Sequence, residues 1–349
     1  MKKLLYLIPL LLLAITIGPR PVHAQQATSA PAVNVTLSPI FFDLSASPSG
    51  TISDKIRIKN NASAPLPLKI NIKKIVTDQN GSLTIQDPKP DDDSVSWIKF
   101  ATPNFVATPG QYVDLPFTIS IPANASFAYY YAVTFQQDTG NNAGGNTATL
   151  QGQPAVPILL TVKRPGAIMN GEVESFKTKS FINEFLPVEF ETAFKNVGNV
   201  HIKPHGNIFI QSTGQKDLAI LDVNGTLGNV LPGATRTFLS DWSDGFIVNE
   251  PVLDGSGQPT TDKNGQPITH LTIHWDKLTH FRIGPYSAHL VLVFDNGQRD
   301  QVLEASTTFW VLPYKVIIVF LVVIIAIFFI GRKLLHGYIQ KQISKGSKS

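Results

Sequence analysis

The sequence predicts an all-β chain of two tandem sandwich domains, followed by one membrane-spanning helix. Three observations support this. Short segments alternate apolar and polar residues, turn-forming Pro, Gly and Asn residues separate them, and one long uncharged apolar run lies near the C-terminus. Period-two alternation with frequent turns is typical of antiparallel sheets that bury one face, and no sustained helical pattern precedes the apolar run.

In the first domain the alternation is clearest at residues 56–59 and 68–73, where apolar residues alternate with Lys, Arg or Asn. Further strands are predicted at 113–121, 129–135 and 156–162. Turn signals at 48–50, 60–61, 80–81, 109–110 and 122–124 separate these segments. A polar, glycine-rich stretch at 140–149 predicts a flexible loop between the last two strands of this domain.

A second set of strands begins after Arg164-Pro165-Gly166, with alternation at 188–192 and 288–294. We therefore predict a first domain at 25–165 and a second at 166–312. Between the alternating segments, a D-x-x-G-Q-P motif occurs twice, at 254–259 and 262–267. Both copies predict tight turns at the tip of a long hairpin.

The N-terminus has the pattern of a signal peptide at residues 1–24. Lys2 and Lys3 precede an apolar run at 4–17, and Val22-His23-Ala24 provides a small-x-small cleavage site. This order of charge, apolar run and small residues is typical of secreted chains.

The C-terminal apolar run, 316–330, predicts a transmembrane helix over 313–333 and a basic tail over 334–349. Trp310 and Tyr314 are placed to lie at the headgroup level, where amphipathic aromatic side chains are favoured. Arg332, Lys333 and three further lysines follow the run without an acidic residue. The positive-inside rule predicts a cytoplasmic tail, so the expected location is the cell membrane with the ectodomain outside.

Charge and cysteine content exclude several function classes. The chain has 29 basic and 25 acidic residues, but eight basic residues lie in the signal peptide and tail, which leaves 21 for an ectodomain of net charge about −4. A nucleic-acid partner therefore has no electrostatic basis. With no cysteine, disulfides and thiol chemistry are excluded, and no cofactor is expected.

Several motifs, in order along the chain, resemble one family. Residues 37–39, 48–50 and 56–61 look like the opening of a PapD-like or immunoglobulin-like bacterial domain. In the second domain, 194–206 resembles an N-x-G-N-x-H-x-x-P-x-G signature, whose positions are held by Asn196, Gly198, Asn199, His201, Pro204 and Gly206. Over nearly its whole length the chain resembles the WxL-interacting proteins of Gram-positive bacteria, with the glycine-rich loop and the D-x-x-G-Q-P hairpin as apparent insertions.

The resemblance implies two immunoglobulin-like domains with a C-terminal transmembrane anchor. It also implies that the first domain is associated with peptidoglycan and the second with partner surface proteins. The candidate binding residues are aromatic, namely Trp97, Tyr129, Tyr130 and Tyr131. Exposed rings on a sheet can stack on sugar rings, although packing in the core is the more common role of such residues.

Catalytic motifs are absent from the sequence. It has no H-E-x-x-H, G-x-S-x-G or P-loop pattern, so we do not expect an enzyme. The best candidates for metal ligands, although a metal site is not expected, are His270, His274 and His280. The first two share a face of a predicted strand. His201 and His205 are expected to be ordinary surface or turn histidines, and Asp87 with Asp91–Asp93 a solvated loop.

The sequence therefore predicts a non-catalytic, membrane-anchored surface protein that binds wall polymer, partner surface proteins or both. One alternative is a PapD-like envelope chaperone or assembly factor, which would need basic residues in a groove between the domains. A second alternative is a zinc-dependent hydrolase that uses the three histidines.

Overall fold

The computed structural model describes residues 33–78, 81–138 and 153–346, and the side chains of residues 215–216 and 337–346 are not described. The predicted signal peptide and the predicted loop at 140–149 lie outside these residues. The fold prediction is confirmed: the described chain consists of two immunoglobulin-like β-sandwiches followed by one apolar helix.

Within the described residues, the first sandwich contains ten strands. They are β1 (Val35–Ser38), β2 (Phe42–Ala46), β3 (Thr51–Asn60), β4 (Leu66–Thr77), β5 (Leu83–Gln86), β6 (Ile98–Phe100), β7 (Asn104–Ala107), β8 (Tyr112–Ser120), β9 (Ala128–Gln137) and β10 (Ala155–Val162). One sheet has the order β1-β3-β8-β6 and the other β2-β10-β9-β4-β5, with β7 also paired to β4. A short 3-10 helix, Asp93–Trp97, precedes β6.

The second sandwich begins after a connection at 163–170. Its strands are β11 (Gly171–Thr178), β12 (Ile182–Asn183), β13 (Val188–Asn196), β14 (His205–Ser212), β15 (Gln215–Val223), β16 (Thr235–Trp242), β17 (Ile247–Pro251), β18 (Thr269–Ile273), β19 (Gly284–Asp295) and β20 (Asp300–Val311). The sheets have the orders β11-β13-β16 and β12-β20-β19-β14-β15, and β17 pairs with β18 in a separate hairpin.

The two sandwiches share one topology. In each, the first strand pairs antiparallel with the third (β1 with β3, β11 with β13). The chain then changes sheets, and the next segment pairs parallel with the last strand (β2 with β10, β12 with β20). The opening segments therefore join both sheets of each domain, which closes one side of the sandwich. The alternation of apolar and polar residues along the sequence does not reveal this duplication.

Alternating side chains form two cores. In β13 the burial alternates at every residue, so Val188, Phe190 and Phe194 point inward. Burial of such a side chain contributes roughly 1.5–3 kcal/mol relative to exposure. Trp242 is the largest fully buried side chain of the second core, and Tyr131 that of the first.

A buried asparagine, Asn60, is the last residue of β3 in the first sandwich. Asn60 donates from Nδ2 to the main-chain oxygens of Ala64 (2.8 Å) and Ala107 (2.9 Å), and its Oδ1 accepts from the Ala62 N–H. Its own carbonyl accepts from the N–H of Gly110, in the turn before β8. One side chain therefore satisfies the backbone groups of two neighbouring loops, which could not otherwise be buried.

Asn196 makes the same contacts in the second sandwich. Its Nδ2 donates to the main-chain oxygens of Val200 and Val230, each at 2.8 Å, and its Oδ1 accepts from the Gly198 N–H. Its carbonyl accepts from the N–H of Gly233, in the turn before β16. Asn196, the first position of the family signature, is therefore a structural residue of the fold.

The repeated D-x-x-G-Q-P motif forms two tight turns beyond β17 and β18, as predicted. In each turn the aspartate Oδ1 accepts from the N–H groups two and four residues further on, which are Ser256 and Gln258 in one copy and Asn264 and Gln266 in the other. Gly257 and Gly265 have φ of 79° and 76°, in the left-handed region that favours glycine.

The C-terminal helix, α1, spans Tyr314–Gly346. Within the described residues, it is the one helix long and apolar enough to cross a membrane, over the 23 residues Tyr314–His336. None of that stretch is buried against the rest of the chain, as a membrane anchor requires. Trp310 lies near the end of β20, Tyr314 begins the helix, and Arg332 and Lys333 lie near the other end of the apolar stretch.

Replacement of either buried asparagine is expected to destabilise the fold. Asn60→Ala and Asn196→Ala each leave two buried carbonyls without a donor, so we expect the free energy of unfolding to fall by about 2–4 kcal/mol. Urea unfolding of the detergent-solubilised full chain, followed by tryptophan emission, measures the change.

The exposed Asn124 provides the matched control, because Asn124→Ala is expected to change the free energy of unfolding by less than about 0.5 kcal/mol. Losses below about 1 kcal/mol in both buried variants would contradict the role assigned to these side chains.

Candidate functional site

The signature residues Gly198 and Asn199 fasten the connection between the two sandwiches. Asn199 accepts from the Ile168 N–H at Oδ1 (2.7 Å) and donates from Nδ2 to the Gly166 carbonyl (3.1 Å). A Cβ on Gly198 would lie 2.2 Å from the Ile168 oxygen, so the position requires glycine. The turn after β13 therefore holds residues 166–168 in one conformation.

Two other signature positions are also structural. Gly206 lies where β14 pairs with β19, opposite Leu292, and a Cβ there would lie 2.0 Å from the Val291 oxygen. The Pro204 carbonyl accepts a hydrogen bond from Asn224 Nδ2. These residues position the segment between β13 and β14, which carries the remaining signature residue, His201, into the domain junction.

His201 lies in the junction between the two sandwiches, and its side chain is only 7% exposed. His201 lies in the connection after β13, as expected of a turn residue, but the expectation of a surface histidine is wrong. Its Nε2 donates to Asp43 Oδ1 (3.1 Å), and Lys203 Nζ lies 2.5 Å from Asp43 Oδ2. Asp43 belongs to β2 of the first sandwich, so one carboxylate joins the two domains through a hydrogen bond from His201 and an ion pair with Lys203.

These contacts change the acidity of Asp43. The hydrogen bond from His201, together with the ion pair to Lys203, lowers the pKa of Asp43 from 3.8 to about 2, although partial burial acts in the opposite direction. A carboxylate that accepts a hydrogen bond and also pairs with a lysine ammonium is favoured in its ionised form.

Apolar contacts surround this ion pair. Tyr130 and Leu159 project from the outer face of β9 and β10, and with Ile75 they pack against the core of the second sandwich. The ring of Tyr130 meets His201 edge-on, with 5.7 Å between centroids. Burial raises the pKa of the Tyr130 hydroxyl above its usual range.

Backbone and hydroxyl groups complete the junction. Thr77 Oγ1 donates to the Pro232 carbonyl (3.0 Å), and the Thr235 N–H donates to the Gly81 carbonyl (3.1 Å). The second sheet of the first sandwich therefore contacts the second sandwich through β2, β4, β9 and β10.

A cleft of about 300 Å³ opens beside the junction and is lined by both signs of charge. Asp43, Asp295 and Asp300 line it together with Lys203 and His205. Because Asp43 already pairs with His201 and Lys203, the cleft offers no unneutralised basic pair among its described residues. Capture of a C-terminal carboxylate, which the chaperone alternative requires, would have to break these ion pairs.

The candidate aromatic residues do not form an exposed sugar platform; they pack within and between the sandwiches, which is the more common role of such residues. Tyr131 is fully buried and its hydroxyl donates to the Ser94 carbonyl (3.2 Å). Tyr129 packs edge-on against Trp97 at 4.6 Å and accepts from the Ser126 N–H. Tyr130 points to the opposite face, as the strand period predicts, but the second sandwich covers that face.

An exposed cationic face lies elsewhere on the first sandwich, on the outer side of β3 and β8. We define the cationic face by the exposed residues Lys55, Arg57, Tyr112 and Asp114, the half-buried Lys59, and the exposed Lys99 on the neighbouring β6. Arg57 and Lys59 both lie over the Tyr112 ring, each 5.5 Å from its centroid. Asp114 pairs with Lys55 (2.7 Å) and Arg57 (2.9 Å).

The cationic face carries four basic groups and one acidic group, on a sheet whose other side is the core. Sequence analysis identified the β3 alternation but did not consider its outward residues as a site. The signal was available, because Lys55, Arg57 and Lys59 are spaced by two and must share one face of a strand.

The three histidines proposed as metal ligands do not converge on one site, because His270 and His274 lie by Glu250 and His280 contacts Asp244. His274 Nε2 lies 3.0 Å from Glu250 Oε1, and His280 Nδ1 lies 2.8 Å from Asp244 Oδ2. His270 is exposed and faces Glu250 across the β17–β18 hairpin. In the parts of the chain that the structure describes, no three or more His, Cys, Asp or Glu side chains are grouped so that they could hold a metal ion.

The acidic loop contains one structural carboxylate. Asp92 caps the 3-10 helix at Asp93–Trp97 by accepting from the Ser94 N–H at 3.0 Å, and its Oδ2 lies 3.3 Å from Lys74 Nζ. Asp92 therefore positions Ser94 and Lys74 beneath the buried Tyr131, while the exposed Asp91 and Asp93 remain at the surface.

Comparison with known proteins gives the following. No family model matches the sequence, and no curated protein matches it. Similar solved structures include the class 5 fimbriae chaperone CfaA, at 13% identity over 78% of this chain and 99% of that chain, with a TM-score of 0.36. Also similar is the CsuC–CsuE chaperone–subunit complex of Acinetobacter baumannii, at 13% identity over 78% of this chain and 97% of that chain, with a TM-score of 0.34. The YadV chaperone is similar at 8% identity over 79% of this chain and 99% of that chain, with a TM-score of 0.31. The fold assignment rests on the strand order and register described above, and no role of these proteins is carried over.

Asp43→Asn is expected to weaken the dependence of stability on acidic pH. Because the folded pKa of about 2 lies below the ordinary value of 3.8, the ion pairs contribute their full stabilisation above about pH 4, and this is lost as the pH falls toward 2. Thermal melts of the full chain in detergent between pH 5 and pH 2.5 are expected to show a steeper fall in Tm for the wild type than for Asp43→Asn.

Asp91→Asn, in the exposed loop, is the control and is expected to retain the wild-type slope. Parallel pH profiles for Asp43→Asn and the wild type would show that the junction ion pair does not contribute in this range.

Proposed function

We propose that this chain is a non-catalytic cell-surface adaptor. Residues 25–312 lie outside the cell, α1 crosses the membrane, and the basic tail lies in the cytoplasm. The first sandwich binds wall polymer, with peptidoglycan as the expected ligand, and the second meets a partner surface protein. This is the role expected of a distant member of the WxL-interacting family.

The observation that carries the proposal is the cationic face. Four basic side chains and an exposed tyrosine lie on one flat sheet surface, although the ectodomain as a whole is acidic. Basic groups can pair with the carboxylates of a wall polymer, while the Tyr112 ring provides an apolar surface on which a sugar ring can stack. Asp114 orients Lys55 and Arg57, which reduces the conformational entropy lost on binding.

The domain junction supports a rigid adaptor. A carboxylate from the first sandwich accepts a hydrogen bond from His201 and pairs with Lys203 of the second, and Ile75, Tyr130 and Leu159 pack against the second core. Small-residue linkers let neighbouring domains move independently, whereas here residues 166–168 are held by Asn199. A rigid junction keeps the cationic face in a constant position relative to the start of α1.

An open sheet edge supports the protein-binding half of the proposal. β16 is the edge strand of its sheet, with β13 as its neighbour, and Leu239 on this strand is 70% exposed. Unpaired edge strands accept a partner strand through main-chain hydrogen bonds. A partner of this kind would add to the sheet beside β16.

Charge reversal on the cationic face is expected to weaken wall binding. Arg57→Glu with Lys59→Glu should lower the apparent affinity of the solubilised full chain for isolated wall by about tenfold or more, since like charges at an interface cost several kcal/mol. Co-sedimentation with purified wall material measures the affinity, and binding by the wild type should weaken as salt screens the charges.

The matched control is Lys177→Glu with Lys179→Glu, which reverses two exposed, ion-paired lysines on the second sandwich. This variant is expected to bind the wall as the wild type does. Equal loss in both variants, or no wall binding by the wild type with one surface protein enriched instead, would contradict the wall-binding role and leave a scaffold or chaperone role. One tightly bound zinc per purified chain would contradict the non-catalytic assignment.

A further inference from the structure

The loop between β18 and β19 exposes large apolar side chains. We define the base loop as residues 274–283. Trp275 is 73% exposed, Leu278 59% and Phe281 54%, and Ile283 at the end of the loop is also exposed. Single exposed apolar residues are ordinary on soluble proteins, but a contiguous group marks an interaction surface.

The exposure results from a well-defined conformation of the base loop. Asp244 gathers three of its basic side chains: Lys277 at 3.0 Å, His280 at 2.8 Å and Arg282 at 3.7 Å. The backbone is paired as well, since the Phe246 N–H donates to the His280 carbonyl and the His274 N–H donates to the Phe246 carbonyl. The polar groups of the loop therefore face Asp244, and the apolar groups are left outward.

The outward side chains form one row. Phe246 packs edge-on against Trp275, with 5.5 Å between centroids, and in a tilted arrangement against Phe281 at 5.9 Å. Phe281 and Ile283 then line a small cavity together with Pro313. The row therefore runs from Trp275 through Phe246, Phe281 and Ile283 to Pro313, the residue that precedes α1.

Strand register places the end of the base loop beside the start of α1. β19 begins at Gly284, directly after the loop, and Gly284 pairs with Val311, the last residue of β20. On the other side, β12 pairs Ile182 with Trp310, and Glu184 lies 2.6 Å from Lys315 in the first turn of the helix. Exposed Phe181 and Ile182 therefore flank the helix start opposite the loop.

The chemistry of this surface is that of a membrane interface. Aromatic side chains with a polar edge favour the headgroup level, and Trp275, Trp310 and Tyr314 provide three of them around the start of the apolar helix. Lysine at the same level can extend its amine into water while its methylenes stay apolar. A bilayer is the one apolar surface that lies next to this end of the sandwich whenever α1 spans a membrane.

We propose that the base loop lies in the headgroup region of the bilayer that α1 crosses, with Trp275, Leu278 and Phe281 in contact with lipid. The second sandwich then rests on the membrane instead of standing away from it on a flexible stalk. This inference rests on the proposed membrane anchoring of α1 and adds a second, peripheral contact to it.

Site-directed spin labelling of the full chain tests the contact. The chain has no cysteine, so Trp275→Cys and Leu278→Cys each provide a single labelling site at an exposed position. The labelled chains are reconstituted into phosphatidylcholine–phosphatidylglycerol vesicles. Accessibility to lipid-soluble oxygen and to a water-soluble nickel chelate is then compared, and the oxygen-to-nickel ratio is expected to be several-fold higher at both sites than at water-exposed controls.

Leu239→Cys and Ile40→Cys, at positions that are 70% and 74% exposed, are the water-exposed controls, and Ile324→Cys within α1 is the lipid control. A water-like ratio at positions 275 and 278 with a lipid-like ratio at 324 would overturn the base-loop contact while leaving the anchor intact. Protection from both reagents at positions 275 and 278 would show that protein and not lipid covers the base loop, and this result would also overturn the proposed contact. A water-like ratio at 324 would refute the anchor itself.

Discussion

The covering of one face of the first sandwich by the second is the constraint on which the rest of the structure depends. The outer side of β9 and β10 presents Tyr130 and Leu159, and these side chains are removed from water only because the second sandwich packs on them. Apolar burial drives this association, since ion pairs in partly buried positions gain little net free energy. The Asp43 contacts to His201 and Lys203 therefore define which orientation of the two domains is satisfied electrostatically.

This constraint explains the signature segment in physical terms. Asn196 satisfies two loops, and Gly198 and Asn199 hold the connection between the domains. Gly206 permits the close approach of β14 to β19, and His201 enters the junction. A motif dense in Asn, Gly and His resembles a binding site in sequence, because the same residue types serve both purposes. Here each side chain is used for local or interdomain contacts, which directs the search for ligand-binding surfaces to faces that the junction leaves free.

Two such faces lie far apart along the chain. The cationic face belongs to β3 and β8 of the first sandwich, and the base loop lies beside the start of α1. In the proposed role, the rigid junction connects a wall-directed surface to a membrane-directed surface. A flexible connection would let the first sandwich sample many positions and would lower the effective concentration of its binding face at the wall.

The sequence by itself determined the features that depend on local order: the strands, the tight turns at the two D-x-x-G-Q-P motifs, the sandwich class and the apolar helix. Period-two alternation shows that Tyr130 points away from Tyr131, but it cannot show what covers Tyr130. Likewise, His201 appears as a turn residue until β2 brings Asp43 against it, and the duplicated topology is visible only in the strand pairing. Tertiary structure decided which faces are buried, because burial depends on segments that meet across 158 positions of sequence between Asp43 and His201, and no local pattern records such a meeting.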